Sequence, residues 1–355
     1  MKRLSIFIGV CSVSLAVLIR AAVNHAATAE DGVSFAGKTV TMTIGFGAGG
    51  GVDLYGRTLG RHLVRYLPGD PGLVVLNQLG AGGVVALNDW ANKADANGLF
   101  VTIGAESQTA PDALIRTHAK FDPAAFNYVG GLAAYSQGLF VNKAAVARLY
   151  DKSAKPVVMG MVGSTLRSGN YQVLWGTLFL GWNVKWVRGY TSTAELRQAI
   201  ERGEIDMTTF GASADIEHLL RTGEFTVISQ SGGEKQEKRS ILGDAPSISE
   251  LVSGKIKDAL AQKAYDYGEE VSEVGMWLAL PPRTPERIVS SYVRAFDATV
   301  KDPQYQAEYG KIDPDSPVAS KAELEELVHE LAQVSPKTLD YIQAELTRQG
   351  IGTAN

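Results

Sequence analysis

Cysteine is almost absent from the sequence, which contains a single one, Cys11, near the N-terminus. This residue lies in an apolar segment that we expect to be removed, so the mature chain would contain no cysteine. That composition excludes disulfide bonds, thiol catalysis and metal sites built from cysteine. A cysteine-free chain suits an oxidising compartment without depending on disulfides.

The sequence also lacks an excess of basic residues, with 34 Lys and Arg against 38 Asp and Glu. No basic patch is evident, which argues against nucleic acid as a partner. Long apolar runs are missing beyond the N-terminal segment, since no later stretch reaches the roughly 20 residues that a membrane-spanning helix needs. We therefore expect a mature chain that is soluble.

The N-terminus has the three parts of a secretory signal. Residues 1–3 form a basic start, residues 4–19 are uncharged and mostly apolar, and residues 27–29 supply the small side chains of a cleavage site. We predict a signal peptide over residues 1–29. A single membrane anchor is the alternative, but the apolar run is short and Arg20 ends it. Cleavage would leave 31 basic against 38 acidic residues, a net charge near −7.

About 325 mature residues exceed what one hydrophobic core usually holds, so two domains are expected. Segments of helical period alternate with short, apolar, β-branched segments along the chain, which predicts an α/β fold with mainly parallel sheets. Trp175, Trp182 and Trp186 are expected in the core of the second domain rather than in a binding site.

The segment 38–57 reads as strand, glycine loop and helix. Residues 39–44 are apolar and β-branched, five glycines fall within residues 45–51, and a helical period follows. Glycine lets a ligand approach backbone N–H groups, which carry positive partial charge at a helix N-terminus. The segment therefore predicts an anion site at residues 47–53. Asp53, in the first helical turn, is predicted to cap unpaired N–H groups.

Two nucleotide-binding motifs match this region in letters but not in context. Residues 32–39 fit the P-loop string, yet a strand follows them where that motif needs a helix. Residues 45–50 fit the dinucleotide fingerprint, which needs an acid at the end of the next strand. Asp70 precedes that strand, and Asn77 stands at its end. We expect no nucleotide or other cofactor.

Further strand ends carry small or polar residues. A strand at residues 73–76 runs into the glycine-rich residues 80–83, another strand is followed by Ser107 and Gln108, and a third ends at the polar residues 163–170. Ligands of open α/β sheets bind at the carboxyl ends of strands. These segments are therefore candidates for one ligand site.

With these loops in order, the chain resembles the periplasmic substrate-binding components of tripartite tricarboxylate transporters, the Bug-type receptors. The sequence GGGVD at residues 49–53, with Arg57 following, resembles the first ligand loop of that family. GAGG at residues 80–83 resembles the second loop, and Gly163-Ser164 resembles the start of the third. Further similar segments, in order along the chain, are residues 203–206, 242–250 and 277–285.

The resemblance implies a two-lobed periplasmic-binding-protein architecture of the type II kind, with two Rossmann-like domains that close on a ligand by a hinge. It implies a first domain of residues 30–140 and 226–355 and a second of residues 141–225. The implied ligand is a small carboxylate, either a di- or tricarboxylate or an aromatic one. The implied location is the periplasm, and the implied partners are the large and small membrane subunits of a permease, with the receptor itself a monomer.

The resemblance and the loops together give one set of candidate ligand-binding residues. They are Gly47, Ala48, Gly49, Gly50, Asp53, Gly80, Ala81, Gly82, Gly83, Ser107, Gln108, Gly163, Ser164, Thr165, Ser168, Arg188, Tyr190 and Gly211.

Arg188 is the candidate for a distal carboxylate, because it stands just before Tyr190, where the family contacts its ligand. Alternatives stay open at these positions: Arg188 could be a surface charge and Tyr190 a packing aromatic, while the hydroxyls of residues 164, 165 and 168 could cap the following helix. Arg188-Gly189-Tyr190 replaces the usual Val-Pro-Tyr of the family, and the usual proline before the first loop is missing. These departures bear on ligand identity more than on fold.

Catalytic motifs are missing as well. The four mature histidines are scattered, with no HExxH, no G-x-S-x-G and no paired metal-ligand spacing. We expect neither an enzyme nor a metal site. Two alternatives to uptake remain, namely a carboxylate-sensing receptor for a signalling partner and a periplasmic enzyme that acts on a carboxylate in the same cleft.

Overall fold

The computed structural model of the protein describes residues 32–351 except residues 133, 135, 232–237 and 315–316, and it leaves out the side chain of Ser168. The predicted signal peptide lies outside the described residues.

The first sheet has six strands and belongs to the first lobe. They are β1 (Thr39–Ile44), β2 (Gly72–Asn77), β3 (Phe100–Gly104), β4 (Asn127–Leu132), β10 (Met276–Leu280) and β11 (Val318–Ser320), in the spatial order β11-β4-β10-β3-β1-β2. β1 is parallel to β2 and β3, whereas β10 is antiparallel to β3 and β4, and β11 to β4. The sheet is mixed rather than nearly all parallel, because β10 enters between β3 and β4 in the opposite direction.

The second sheet has five strands and belongs to the second lobe. They are β5 (Gly138–Asn142), β6 (Val157–Val162), β7 (Val184–Tyr190), β8 (Met207–Phe210) and β9 (Phe225–Gln230), in the order β7-β6-β8-β5-β9. β6 is parallel to β7 and β8, and β5 is antiparallel to β8 and β9. These strands begin before residue 141 and end after residue 225, and the predicted domain bounds stay a prediction.

Helices connect and cover both sheets in the described part of the chain. They are α1 (Gly51–Leu63), α2 (Val84–Lys93), α3 (Pro111–Arg116), α4 (Val146–Leu149), α5 (Ser168–Phe179), α6 (Thr193–Glu201), α7 (Ser213–Thr222), α8 (Ile248–Val252), α9 (Ala259–Glu273), α10 (Glu286–Val300), α11 (Pro303–Tyr309), α12 (Lys321–Ala332) and α13 (Pro336–Arg348). The alternation of strands and helices expected from the sequence is present in both lobes.

The connections of the second sheet place α5 and α7 on opposite faces. α5 leads from β6 to its neighbour β7 on one side, and α7 leads from β8 past β5 to β9 on the other side. Crossovers between parallel strands are right-handed, so two crossovers that run in opposite directions put their helices on opposite faces of the sheet. The N-termini of α5 and α7 therefore approach the carboxyl edge of this sheet from its two sides.

Tryptophans fill part of the core around the second lobe, as predicted. Trp175 and Trp182 are fully buried and Trp186 is 9% exposed, all in one apolar cluster. Gly176 is needed for this packing, because a Cβ atom at that position would lie 1.9 Å from the Trp182 ring. The three side chains thus serve packing, which fixes α5 against its sheet.

Candidate functional site

The first loop, residues 45–50 between β1 and α1, is held in shape by Asp53. Asp53 is 2% exposed and accepts hydrogen bonds from Gly49 N at 2.9 Å, Arg57 Nε at 2.9 Å and Asn77 Nδ2 at 2.8 Å. Burial alone would raise the pKa of Asp53, but the hydrogen bonds from Arg57, Gly49 and Asn77 hold its pKa below the usual value. The carboxylate therefore organises the loop from beneath.

Backbone N–H groups of the first loop bond to the second lobe. Gly47 N donates to Thr191 O at 2.8 Å, and Gly51 N donates to Thr193 Oγ1 at 3.1 Å. Together with Gly49 N, which bonds Asp53, three donors of the predicted anion site bond to the protein itself. Ala48 and Gly49 are exposed. The glycine loop in this arrangement joins the two lobes directly.

The second loop, residues 78–83, also touches the second lobe. Gly80, Gly82 and Gly83 all have positive φ, which glycine adopts without strain. A Cβ on Gly82 would lie 3.0 Å from Thr165 Oγ1, and one on Gly163 would lie 3.0 Å from Gly82 Cα. Glycine at positions 82 and 163 therefore allows the backbones of the two lobes to approach each other closely.

Ser107 and Gln108 lie inside the first lobe beside the second loop. Both are fully buried, and Gln108 Oε1 accepts from Ala105 N at 3.0 Å. A Cβ on Gly83 would lie 2.0 Å from Gln108 Nε2, so Gln108 packs directly against the second loop. Among the described residues that line the two cavities below, neither Ser107 nor Gln108 is present.

The third loop, residues 163–167, brings Arg167 to the boundary between the lobes. Arg167 Nε donates to Glu106 Oε1 of the first lobe at 2.9 Å, and its guanidinium lies 5.2 Å from the centroid of the Phe46 ring. Glu106 is buried and the Arg167 side chain is 18% exposed. This leaves Nη1 and Nη2 of Arg167 for other acceptors. Such planar donors suit a carboxylate.

The helix after the third loop starts within the polar residues 163–170, before the apolar residues that begin at Tyr171. α5 begins at Ser168, because Asn170 Oδ1 accepts from Arg167 N at 3.1 Å and supports an additional turn. Arg167 thereby sits at the N-cap position, and its side chain projects from a fixed backbone. The sequence pattern missed this turn because glycine at position 169 weakens the helical signal.

The cleft cavity lies between the lobes at the carboxyl ends of β1, β6 and β8 and measures about 90 Å³. It is lined by Phe46, Gly50, Gly51, Val52, Gln137, Val162, Arg167, Asn170, Ser192, Thr193, Leu196, Thr209, Phe210, Gly211, Ala212, Asp215 and Met276. Of the residues predicted from the sequence, Gly50 and Gly211 lie here.

A side cavity of about 270 Å³ lies on the other side of Phe46. It is lined by Gly45, Phe46, Leu79, Gly80, Ala81, Gly82, Val162, Gly163, Ser164, Gly189, Tyr190 and Thr191. Six predicted residues line it, from the second loop, the third loop and β7. None of its described lining residues has a charged side chain. The side cavity therefore offers a ligand backbone and hydroxyl groups but no positively charged group.

Arg188 lies outside the linings of the two cavities, and its role toward a distal carboxylate stays a prediction. It lies within β7, which extends to Tyr190, and its side chain is exposed. Burial lowers the pKa of Arg116, and the nearby charge of Arg188 lowers it further, so the two cations are neighbours. The described residues that line the two cavities do not include Arg188.

Several cleft residues were not selected from the sequence, above all Phe46, Arg167, Asn170, Thr209 and Asp215. Arg167 and Asn170 belong to the polar segment 163–170 that the sequence had marked, and Asp215 follows a strand end in the first turn of α7. The available signal was the general rule that strand ends carry the site, applied to β8 as well as to the glycine-rich loops.

Among the described residues, no group of three or more His, Cys, Asp and Glu side chains is arranged to hold a metal ion. Within those residues, none of the helices is both long and apolar enough to cross a membrane.

Comparison with known proteins identifies the fold. No protein-family model matches the chain, and a search of curated proteins found no match. Among solved structures, the periplasmic binding protein BugD is similar with a TM-score of 0.66 and 19% identity, over 89% of this chain and 99% of that one. The chain has the fold of a periplasmic binding protein. The two-lobed α/β architecture expected from the resemblance is therefore confirmed.

Two further solved structures with this fold contain ligands. MatC from Rhodopseudomonas palustris, with bound malate, is similar with a TM-score of 0.64 and 18% identity, over 85% of this chain and 99% of MatC. A second R. palustris protein, solved with adipate, has a TM-score of 0.65 and 19% identity, over 88% of this chain and 98% of that protein.

Proposed function

We propose that the protein is a periplasmic solute-binding receptor for a small carboxylate, which it delivers to a membrane permease of the tripartite tricarboxylate type. The two lobes close around the ligand, and the ligand leaves chemically unchanged. Support comes from the receptor fold, from the malate and adipate bound to two structural neighbours, and from the signal-like N-terminus.

One observation carries the ligand class, namely the position of Arg167 in the cleft cavity. Among the described lining residues it is the sole cation, and Phe46 and Glu106 fix its guanidinium from two sides. The lining also offers amide and hydroxyl groups from Asn170 and Thr209. A carboxylate can therefore exchange water for charge-assisted hydrogen bonds from a preorganised donor.

The expected affinity follows from those bonds. Hydrogen bonds to a charged group contribute about 1.5 to 3 kcal/mol each. Four such bonds at the upper end of this range contribute about 12 kcal/mol, which leaves about −8 kcal/mol, a Kd near 1 μM, once an association cost of about 4 kcal/mol is subtracted. That range suits a receptor that must also release its ligand.

Thermal unfolding with a panel of mono-, di- and tricarboxylates, aromatic ones included, tests the proposal. A ligand that binds the native state stabilises it by RT ln(1 + [L]/Kd), about 2.7 kcal/mol at one hundred times Kd, which should raise Tm by at least about 2 °C. We expect one or more carboxylates to give such a shift, and mass spectrometry to recover them unchanged.

Arg167→Gln should abolish that shift, because the site loses its cation. Arg148→Gln is the matched control. Arg148, like Arg167, belongs to the second lobe and pairs with a carboxylate, that of Asp206 at 2.7 Å, but it lies outside the cleft cavity. Each shift is measured against the unliganded Tm of the same variant. A shift that survives in Arg167→Gln would remove Arg167 from the site, and conversion of the ligand to a product would make the protein an enzyme.

A further inference from the structure

The cleft cavity contains one charge of each sign. Arg167 is the sole cation and Asp215 the sole anion among its described lining residues. Asp215 is largely buried, with its side chain 13% exposed, and its Oδ1 accepts from Arg197 Nη1. The second carboxylate oxygen, Oδ2, is left for another donor. An acid in a carboxylate site is unexpected, since it repels a second negative group.

The two charges face the cavity from different sides. Arg167 precedes α5 and Asp215 lies in the first turn of α7, and the crossovers put these helices on opposite faces of the second sheet. Both helices begin at the carboxyl edge of that sheet, where Thr209 and Gly211 lie between them. The cavity is therefore positive at one end and negative at the other.

Each charge already has a partner outside the cavity. Arg167 is paired with Glu106, and Asp215 is paired with Arg197, so the four groups sum to no net charge. A dicarboxylate would bring two uncompensated negative charges to this partly desolvated site, one of them facing Asp215. A ligand with one carboxylate and one ammonium group adds no net charge and matches both ends.

The size of the cavity limits the ligand further. The lobes bond to each other directly through Gly47, Gly51 and Arg167, so the space left between them measures the volume available with the lobes in contact. An apolar cavity of about 150 Å³ holds the six carbon atoms of benzene, so by the same ratio the 90 Å³ here holds roughly four non-hydrogen atoms. Alanine has as many non-hydrogen atoms as benzene and needs the lobes to part only slightly, whereas the larger malate and adipate need a wider opening.

We infer that the receptor takes a short amino acid as a zwitterion, with its carboxylate on the Nη groups of Arg167 and its ammonium group on Asp215 Oδ2. This inference rests on the proposed function and narrows its ligand class. Asp215 is then a specificity-determining residue, which selects the ammonium group against a hydroxyl or a second carboxylate.

Calorimetric titration of the purified protein with L-alanine and with L-lactate tests the inference. The two probes have the same size and differ in an ammonium against a hydroxyl group. We expect alanine to bind at least tenfold more tightly than lactate. In Asp215→Asn, alanine affinity should fall to within about threefold of lactate affinity, because the amide keeps the shape of the carboxylate but loses its charge.

Asp206→Asn is the matched control, because Asp206 also pairs with an arginine in the second lobe and lies outside the cavity. It should keep the preference for alanine. Equal affinity for alanine and lactate in the unmodified protein would overturn the inference without recourse to any variant, and so would an unchanged preference in Asp215→Asn. If carboxylates bind without regard to an amino group, this inference alone fails. If neither class binds, the proposed function fails with it.

Discussion

The carboxyl group of Glu269 on α9 has a strongly raised pKa. Burial raises its pKa to about 7, and the negative charges of Glu273 and Asp266 add to the rise against the effect of a hydrogen bond from Tyr265. The folded chain therefore holds a proton on Glu269 at pH values where the unfolded chain does not. Stability contributed by this proton is fully present below the unfolded pKa of 4.5 and is lost as pH rises through about 7.

Replacing Glu269 by Gln should stabilise the protein at high pH. The amide resembles the protonated acid and never ionises, so the variant should gain up to about 3 kcal/mol over the unmodified protein at pH 8 and little at pH 5. Urea unfolding at the two pH values measures the difference. Glu270→Gln, one residue along on an exposed position, should show the pH dependence of the unmodified protein. An equal gain at both pH values would contradict the assignment.

At the scale of single residues, the sequence predicts a role correctly where the hydrogen-bond partners are close along the chain. Asp53 was expected to cap nearby N–H groups, and its bonds to Gly49 and Arg57 span four residues each. Arg167 could not be found in this way, because its ion pair with Glu106 spans 61 residues and joins two lobes. The same holds for Asp215, whose significance depends on a cavity that exists only after folding.

At the scale of the elements, two neighbouring glycines at the start of α1, Gly50 and Gly51, have different surroundings. Gly50 has φ −81° and ψ 168°, values that any residue adopts, but a Cβ there would lie 2.9 Å from Ser192 Cβ of the other lobe. A Cβ on Gly51 would meet nothing within 4 Å. The first position is therefore constrained by the opposite lobe, and the second is not.

Gly50→Ala should weaken ligand binding at least tenfold, because the methyl group keeps the lobes apart, while the fold persists. Gly51→Ala adds a methyl group that does not contact the other lobe, and it should raise the free energy of unfolding by up to about 1 kcal/mol through better helix propensity. Calorimetric titration and urea unfolding of both variants measure these effects. Unchanged binding in Gly50→Ala would mean that ligand is held without the contact to Ser192.

Most elements were predictable from apolar periodicity, and the misses have local causes. β1 has the predicted bounds of residues 39–44, because β-branched residues occupy every position except Met42. The apolar pattern of β7 stops at Val187, but the strand extends to Tyr190, since pairing with β6 carries it past Arg188 and Gly189. The direction of β10 was not predictable, because a strand pattern has no polarity.

For the molecule as a whole, a buried network joins the lobes away from the ligand loops. Ser213 Oγ, in the second lobe, donates to Asp313 Oδ1, in the first, at 3.0 Å, and Arg239 Nη2 donates to Ser213 Oγ at 2.8 Å. The Asp313 side chain is 1% exposed. Arg239 Nη1 also donates to Gly211 O, so the network touches the wall of the cleft cavity.

Asp313→Asn should therefore lower both stability and affinity. We expect the free energy of unfolding to fall by about 2 kcal/mol, because the buried ion pair between Asp313 Oδ1 and Arg239 Nη2, at 3.5 Å, loses one charge. Ligand affinity should fall several-fold, because the lobes spend less time together. Urea unfolding and calorimetric titration measure the two effects. Asp340→Asn, at an exposed position of α13, should change neither. A loss of stability with full affinity would confine the network to a structural role.

The second lobe begins and ends at one place. Gly138 at the start of β5 pairs with Gln230 at the end of β9, and Ser231 N donates to Gln137 O at 2.9 Å. The second lobe is thus a continuous insertion whose two ends are adjacent, and it contains both Arg167 and Asp215. Exchanging residues 138–230 between receptors of this fold would transfer one half of a binding site as a unit, so new ligand preferences can arise by recombination of lobes as well as by point substitution.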